Sequence, residues 1–313
     1  MTRLAQVACA GLVSLSVLIG GTACGNCNAG RHSALYAWDG DKWTRLETKY
    51  GWTEASNGFG YDPDLKAAIG VGLGDETFKW TGKAWQSLHA KACCGGSNRL
   101  LSYDYGAHRM LMFADDVYAW SGSGWDRLPV PGPTTLGPTE VLVGITYDVA
   151  AKLFVALGLL GDTLTFDGTK WATTDAPPIF TPLMGGNFGA MVYDPVSAQV
   201  MTVGRDQVDS GELHLVMWSG KKWIASASAL PSDMTEGSQT TARLAGPFAL
   251  GYDPLRRAVL FTGSQYLWIW DGTAFAQAPG GPDPGGLAAA VFDDDSGQLL
   301  WVQETFVQCA PGS

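Results

Sequence analysis

Residues 247–275 read PFALGYDPLRRAVLFTGSQYLWIWDGTAF, and this stretch decides the fold. Pro247 to Tyr252 is an apolar run suited to a strand buried on both faces. Asp253-Pro254 turns the chain, because aspartate bonds to the backbone ahead of it and proline fixes φ. Arg257 to Phe261 is a second strand. Gly263-Ser264 marks the next turn, and Tyr266 to Trp270 is a third strand. Asp271-Gly272 is a strong hairpin signal, since both central residues of a type I′ turn need positive φ. Ala274 to Ala276 opens a fourth strand. The unit is a four-stranded antiparallel meander.

Its two punctuating phrases recur through the chain. The tryptophan phrase occurs at Trp38-Asp39-Gly40…Trp43, Trp80-Thr81-Gly82…Trp85, Trp120-Ser121-Gly122…Trp125, Phe166-Asp167-Gly168…Trp171, Trp218-Ser219-Gly220…Trp223 and Trp270-Asp271-Gly272…Phe275. The aspartate phrase occurs at Tyr61-Asp62, Tyr103-Asp104, Tyr147-Asp148, Tyr193-Asp194, Tyr252-Asp253 and Phe292-Asp293. Two phrases alternating every roughly 40 to 60 residues are the signature of a β-propeller. The large aromatics are expected to fill the wedge between neighbouring blades.

The ends say how the ring closes. The chain opens with a third and fourth strand, Ala34 to Leu46, and finishes with a first and second, Leu287 to Gln303. The prediction is an all-β fold, a six-bladed β-propeller closed by strands from both termini, which leaves no open sheet edge. By analogy with Phe261 facing about Leu267, Trp301 is expected to face about Leu35, with room for a slip of a residue or two. The same register carried outward sets Cys309 against Cys27, and a Cys27–Cys309 disulfide is expected to staple the closing blade.

The net charge of −10 argues against nucleic-acid binding, which needs a basic surface. Hydrophobic residues at 46% are ample for a packed core. Residues 1–23 carry Arg3, an apolar stretch from Leu4 to Ile19 and small residues up to Ala23, the pattern of a signal peptide. Cys24 sits where a lipobox cysteine would be lipidated, although Gly21 stands where such motifs usually carry leucine; ordinary cleavage after Ala23 is the alternative. Residues 24–33 then form the tether and 34–309 the propeller. Either route exports the protein to an oxidising compartment, the bacterial periplasm or outer membrane.

The two phrases together resemble kelch-type propellers, the superfamily that includes the central domain of galactose oxidase. The resemblance spans residues 34 to about 303 and implies the fold without implying a function. In such propellers the inter-blade loops share one rim, the default binding face. Here those loops vary: Lys49 to Gly58, Ala90 to Arg99, Pro129 to Leu142, Thr174 to Asn187, Pro231 to Gly246 and Gln277 to Gly286.

Three features of that rim are candidate sites. Cys93-Cys94 either forms a vicinal disulfide offering a flat apolar contact or remains as free or separately bonded thiols. Asp75-Glu76, Asp115-Asp116, Asp162 and Glu212 precede third strands at similar offsets; they either form a partial ring of carboxylates or cap the turns. Trp52, outside the repeat phrase, either stacks a sugar or covers a blade top. The enzymatic signals are weak. Galactose oxidase copper chemistry needs two histidines and two tyrosines, and His32, His89, His108 and His214 do not supply that set. The aspartate-box motif of sialidases is one residue longer than Phe166-Asp167-Gly168…Trp171, and no arginine triad is assignable. No catalytic residue, metal or cofactor is expected. The expected role is a non-catalytic cell-envelope module that binds a protein or glycan as a monomer, touching the membrane only through lipid at Cys24. The alternative is a glycan-active enzyme: an oxidase, lyase or sialidase-like hydrolase.

Overall fold

The structure, a computed structural model, describes residues 31–46, 58–72, 75–92, 99–133, 142–158, 160–180, 191–206, 213–236, 243–244, 248–263, 266–278 and 288–306. Six antiparallel sheets stand in a ring, the arrangement of a six-bladed β-propeller. Blade I contains Gly58–Asp62, Ala67–Val71, Glu76–Trp80 and Trp85–Lys91 in sequential order. Blade II starts at Leu100–Asp104, blade III at Leu142–Asp148 and blade V at Phe248–Asp253, each with the same up-and-down order. The first strands of blades I to VI touch in a closed cycle, so they line the axis.

Blade VI is built from both ends of the chain. Ala288–Asp293 and Gln298–Phe306 supply its first and second strands, and Arg31–Trp38 and Trp43–Leu46 its third and fourth. This is the predicted closure, with one correction. Leu35 faces Val302 and Tyr36 faces Trp301, a one-residue shift from the expected Leu35–Trp301 pairing. The cause is visible in blade V, the source of the analogy. Gly263 is still in the strand and pairs with Tyr266, so Phe261 faces Trp268. A one-residue slip points side chains to opposite faces. Cys27 and Cys309 themselves lie outside the described residues.

Blade IV departs from the pattern. Val192–Asp194 pairs with one end of Gln199–Asp206, and Ile179–Phe180 pairs with the other end. The two short strands share the axial position of that blade. The connection to blade V adds a small hairpin, Thr235–Glu236 with Arg243–Leu244.

The tryptophan phrase is a hairpin whose end residues face each other. Trp38 pairs with Trp43, Trp80 with Trp85 and Trp218 with Trp223. Their ring centroids lie 5.3, 5.4 and 5.3 Å apart. Each such contact is worth about 1 kcal/mol beyond the area it buries. The phrase glycine sits at positive φ in all six copies, for instance 101° at Gly40 and 98° at Gly272. A side chain there would be strained.

The seams between blades follow a second rule. The outer-strand aromatic of one blade packs on the residue three before the third-strand aromatic of the preceding blade. Where that residue is threonine, a hydrogen bond forms. Trp125 Nε1 donates to Thr77 Oγ1 and Trp223 Nε1 to Thr163 Oγ1, both at 2.8 Å. Trp171 instead has Val117 in its cluster and donates to the Pro131 carbonyl at 3.0 Å. In blade V the outer aromatic is Phe275, which has no N–H, and it packs in the cluster of Leu215.

Candidate functional site

An up-and-down sheet sorts its connections onto two rims. Hairpins joining strands one to two and three to four lie on one, the turn rim. Hairpins joining two to three, together with the inter-blade connections, lie on the other. The described binding candidates, Asp75, Asp115 and Asp162, belong to this inter-blade rim.

Asp75, Glu76, Asp115, Asp116 and Asp162 are the candidate acids within the described residues. Asp75 adopts positive φ, 64°, and its carboxylate pairs with Arg99, which is 1% exposed. Asp75 therefore joins blade I to the entry of blade II. Glu76 accepts a hydrogen bond from Ser87 within its own blade. Asp115 is exposed, while its neighbour Asp116 meets Arg127 at 2.8 Å. Asp162 is exposed, and its carbonyl accepts from the Gly158 N–H. Asp75, Glu76 and Asp116 take separate partners, and among the described residues no three His, Cys, Asp or Glu side chains gather as a metal-ligand group. Trp52, Cys93, Cys94, Glu212 and Cys24 lie outside the described residues. Arg99 is the residue of this rim that sequence reasoning missed; an arginine just before a first strand gave no signal of its partner.

The turn rim is where the aspartate phrase acts. Each aspartate is buried and closes its own turn. Asp62 Oδ1 accepts from the Asp64 and Leu65 N–H groups, both at 3.0 Å. Asp104 does the same with Gly106 and Ala107, and Asp253 with Leu255 and Arg256. The residue four after each aspartate is left-handed: Lys66, His108, Lys152, Ala198, Arg257 and Gly297, with φ between 49° and 66°. Only one of these six is glycine, so the sequence hid this feature.

The tyrosine of the phrase reaches the preceding blade. Tyr103 Oη donates to Asp64 Oδ2 at 2.6 Å. Tyr147 meets the Gly106 turn, and Tyr193 meets the backbone of Ala150. Burial pushes Tyr61, Tyr103, Tyr147, Tyr193 and Tyr252 above the ordinary phenol range, with nearby aspartates adding to the shift. Burial likewise raises Asp62 and Asp293, opposed by the turn hydrogen bonds. Asp294 is raised by burial and then by Asp293, although the residue is exposed at the surface. These shifted groups therefore gather where blades meet, and most are held by structural hydrogen bonds.

No family model matches the sequence, and no curated protein is similar to it in sequence. Among solved structures, the chain is similar to a Bacteroides thetaiotaomicron protein of unknown function. The TM-score is 0.55 at 10% identity, covering 87% of this chain and 76% of the other. It is also similar to a gluconolactonase from Xanthomonas campestris. There the TM-score is 0.51 at 10% identity, covering 83% of this chain and 89% of the other. At this identity the likeness concerns the fold.

Proposed function

We propose that this chain is an exported, non-catalytic binding module, held to a bacterial envelope membrane by lipid at Cys24. It binds a protein or glycan through the inter-blade rim. One observation carries the reading: the two rims are built on opposite principles. The turn rim repeats one turn six times and spends its buried aspartates on closing it. The inter-blade rim carries connections of differing length and composition, including an added hairpin before blade V. Variable loops on a fixed scaffold are where recognition usually resides. Asp75 and Asp116 of that rim pair with separate arginines, which suits a contact surface better than a reaction centre.

The test is binding of the purified mature protein to glycan arrays, alongside covalent capture of partners in intact cells. Trp52→Ala and a Cys93→Ser/Cys94→Ser pair are the loop variants. Specific capture weakened by either variant supports the reading. Turnover of an oligosaccharide by the purified protein, as an oxidase, lyase or hydrolase, overturns it in favour of the glycan-active enzyme.

A further inference from the structure

The closing strands of blade VI both point their outer ends at the inter-blade rim. Arg31–Trp38 runs towards the turn rim, where it ends in the hairpin of the first tryptophan phrase. Gln298–Phe306 runs the other way, starting from the turn that Asp293 closes. The two strands pair from Trp38 and Leu299 near the turn rim to Arg31 and Phe306 at the opposite end. Their flanking strands stop earlier, Trp43–Leu46 opposite Leu35 and Ala288–Asp293 opposite Gln303. Arg31 to Ser33 and Glu304 to Phe306 therefore continue as a two-stranded ribbon for about 10 Å beyond them.

A lipid at Cys24 leaves seven peptide steps to Arg31, a reach of at most about 25 Å. The strand Arg31–Trp38 has as many steps, so this tether brings the turn rim to a bilayer only by lying fully stretched along the whole blade. The inter-blade rim needs no such path. Its charge is lopsided. The inter-blade connections are 47–57, 92–99, 128–141, 174–191, 230–247 and 278–287, and the second-to-third-strand hairpins are 72–75, 114–116, 159–162, 207–212 and 264–265. Together they carry thirteen aspartates and glutamates against three cations, Lys49, Arg99 and Arg243. That difference equals the net charge of −10, so the rest of the chain balances to zero. Asp115, Asp162 and Asp175 are exposed on this rim, and Arg99 is already paired with Asp75.

We propose that the inter-blade rim faces the membrane that anchors the chain, and that its partner is a protein embedded in that same membrane, met through a Lys- and Arg-rich extramembrane surface. The inference rests on lipid at Cys24 and on binding by the inter-blade rim, and it adds the orientation and the kind of partner. The path of the chain supplies the orientation, since the tether joins at the ribbon on that side. Charge decides between a protein and the bilayer itself. An acidic rim is repelled by anionic headgroups and drawn to cationic side chains. Confinement to one membrane raises the effective concentration of each partner for the other, so a modest intrinsic affinity is enough. The turn rim, with its six repeated turns, faces away from the bilayer.

The experiment is photo-crosslinking of the full chain in intact cells. A photoreactive phenylalanine derivative replaces Leu160 on the inter-blade rim, 54% exposed, or Leu255 on the turn rim, 71% exposed. The Leu160 form is expected to capture a protein that stays in the membrane after an alkaline wash, and the Leu255 form is not. Asp162→Lys/Asp175→Lys is expected to weaken that capture about tenfold. Replacing residues 1–24 by a cleavable, non-lipidated signal peptide is expected to weaken it about tenfold or more. Mass spectrometry of the parent reads acylation of Cys24 separately, and thermal melts of the purified variants check that each one folds. Capture at Leu255 in place of Leu160 overturns the orientation. Capture of a soluble protein or a glycan at Leu160, or capture unchanged without the lipid, overturns the same-membrane partner and leaves the binding rim standing. Capture of lipid alone, no capture at all, or capture unchanged by the two lysines overturns the basic protein partner. An unacylated Cys24 overturns the anchor and this inference together, and leaves binding by the rim to the other arms.

Discussion

Replacing Thr77 by valine keeps the shape of a fully buried residue and removes one oxygen. Thr77 is 0% exposed, and its Oγ1 accepts the Trp125 N–H across the seam between blades I and II at 2.8 Å. Valine would strand that N–H in a site where Trp125 is itself buried. A buried donor left without an acceptor costs about 1–3 kcal/mol, so Thr77→Val is expected to cost about 2 kcal/mol. At about 2.1 cal/mol/K of unfolding entropy per residue, that lowers the melting midpoint of this chain by about 3 °C. Trp125→Phe removes the donor and some volume, and it is expected to cost a similar amount. The double variant should be less unstable than the sum by about 1 kcal/mol, the signature of a direct contact. The converse substitution is the sharper control. Leu215→Thr puts an acceptor at the same repeat position, but there the neighbour is Phe275, which offers no donor. It should therefore cost about 1–3 kcal/mol for a hydroxyl buried without a partner. Calorimetry of the four variants measures all of this. A Thr77→Val protein within about 0.3 kcal/mol of the parent would refute the seam argument.

Other expectations follow from the turns and from Arg99. Ala198 sits at φ 54° and Gly297 at φ 66° in equivalent turns. Ala198→Gly is expected to stabilise slightly or be neutral, and Gly297→Ala to destabilise by about 1 kcal/mol, read as shifts in melting midpoint. Asp75→Ala leaves the buried Arg99 guanidinium without its carboxylate and is expected to cost about 3 kcal/mol, discounted because a third of the Asp75 side chain is exposed. Adding Arg99→Met should recover part of that loss, and a more severe double variant would contradict the pairing. The pH dependence has a defined sign. The folded state raises Tyr61, Tyr103, Tyr147, Tyr193 and Tyr252 above their unfolded value of about 10, so it favours the neutral phenols. The stability linked to them is fully present below about pH 10 and is lost as the pH rises beyond it. Absorbance at the tyrosinate band should therefore rise together with unfolding, and full ionisation near pH 10 in a folded protein would contradict the seams.

The architecture was legible because each repeat phrase does one mechanical task. Trp38…Trp43 spans a hairpin whose ends must face, and its glycine must take positive φ. The aspartate of the second phrase must close a turn, and six copies of each phrase then fix the number of blades. Closure was legible because the ends supplied complementary halves. The register was missed by one because Gly263 looks like a turn residue yet stays in its strand opposite Tyr266. Backbone pairing outweighed the local glycine signal there. The split first strand of blade IV was also hidden, since Ile179–Phe180 is too short to carry a periodic pattern. The site was less legible than the scaffold. Asp75 resembled the other acids before third strands, but its partner Arg99 is 24 residues away and buried, and no local pattern encodes such a pair. The tyrosines of the second phrase read as packing residues, whereas Tyr103 also carries a hydroxyl contact to the neighbouring blade.

The account rests on a ring closed by the two ends of the chain, and solution NMR of the deuterated 33.2 kDa protein tests that directly. Cross-strand backbone NOEs are predicted between Arg31–Trp38 and Leu299–Phe306, in the register that sets Leu35 opposite Val302 and Tyr36 opposite Trp301. Absence of those contacts, or a register setting Leu35 opposite Trp301, would contradict the closure described for blade VI.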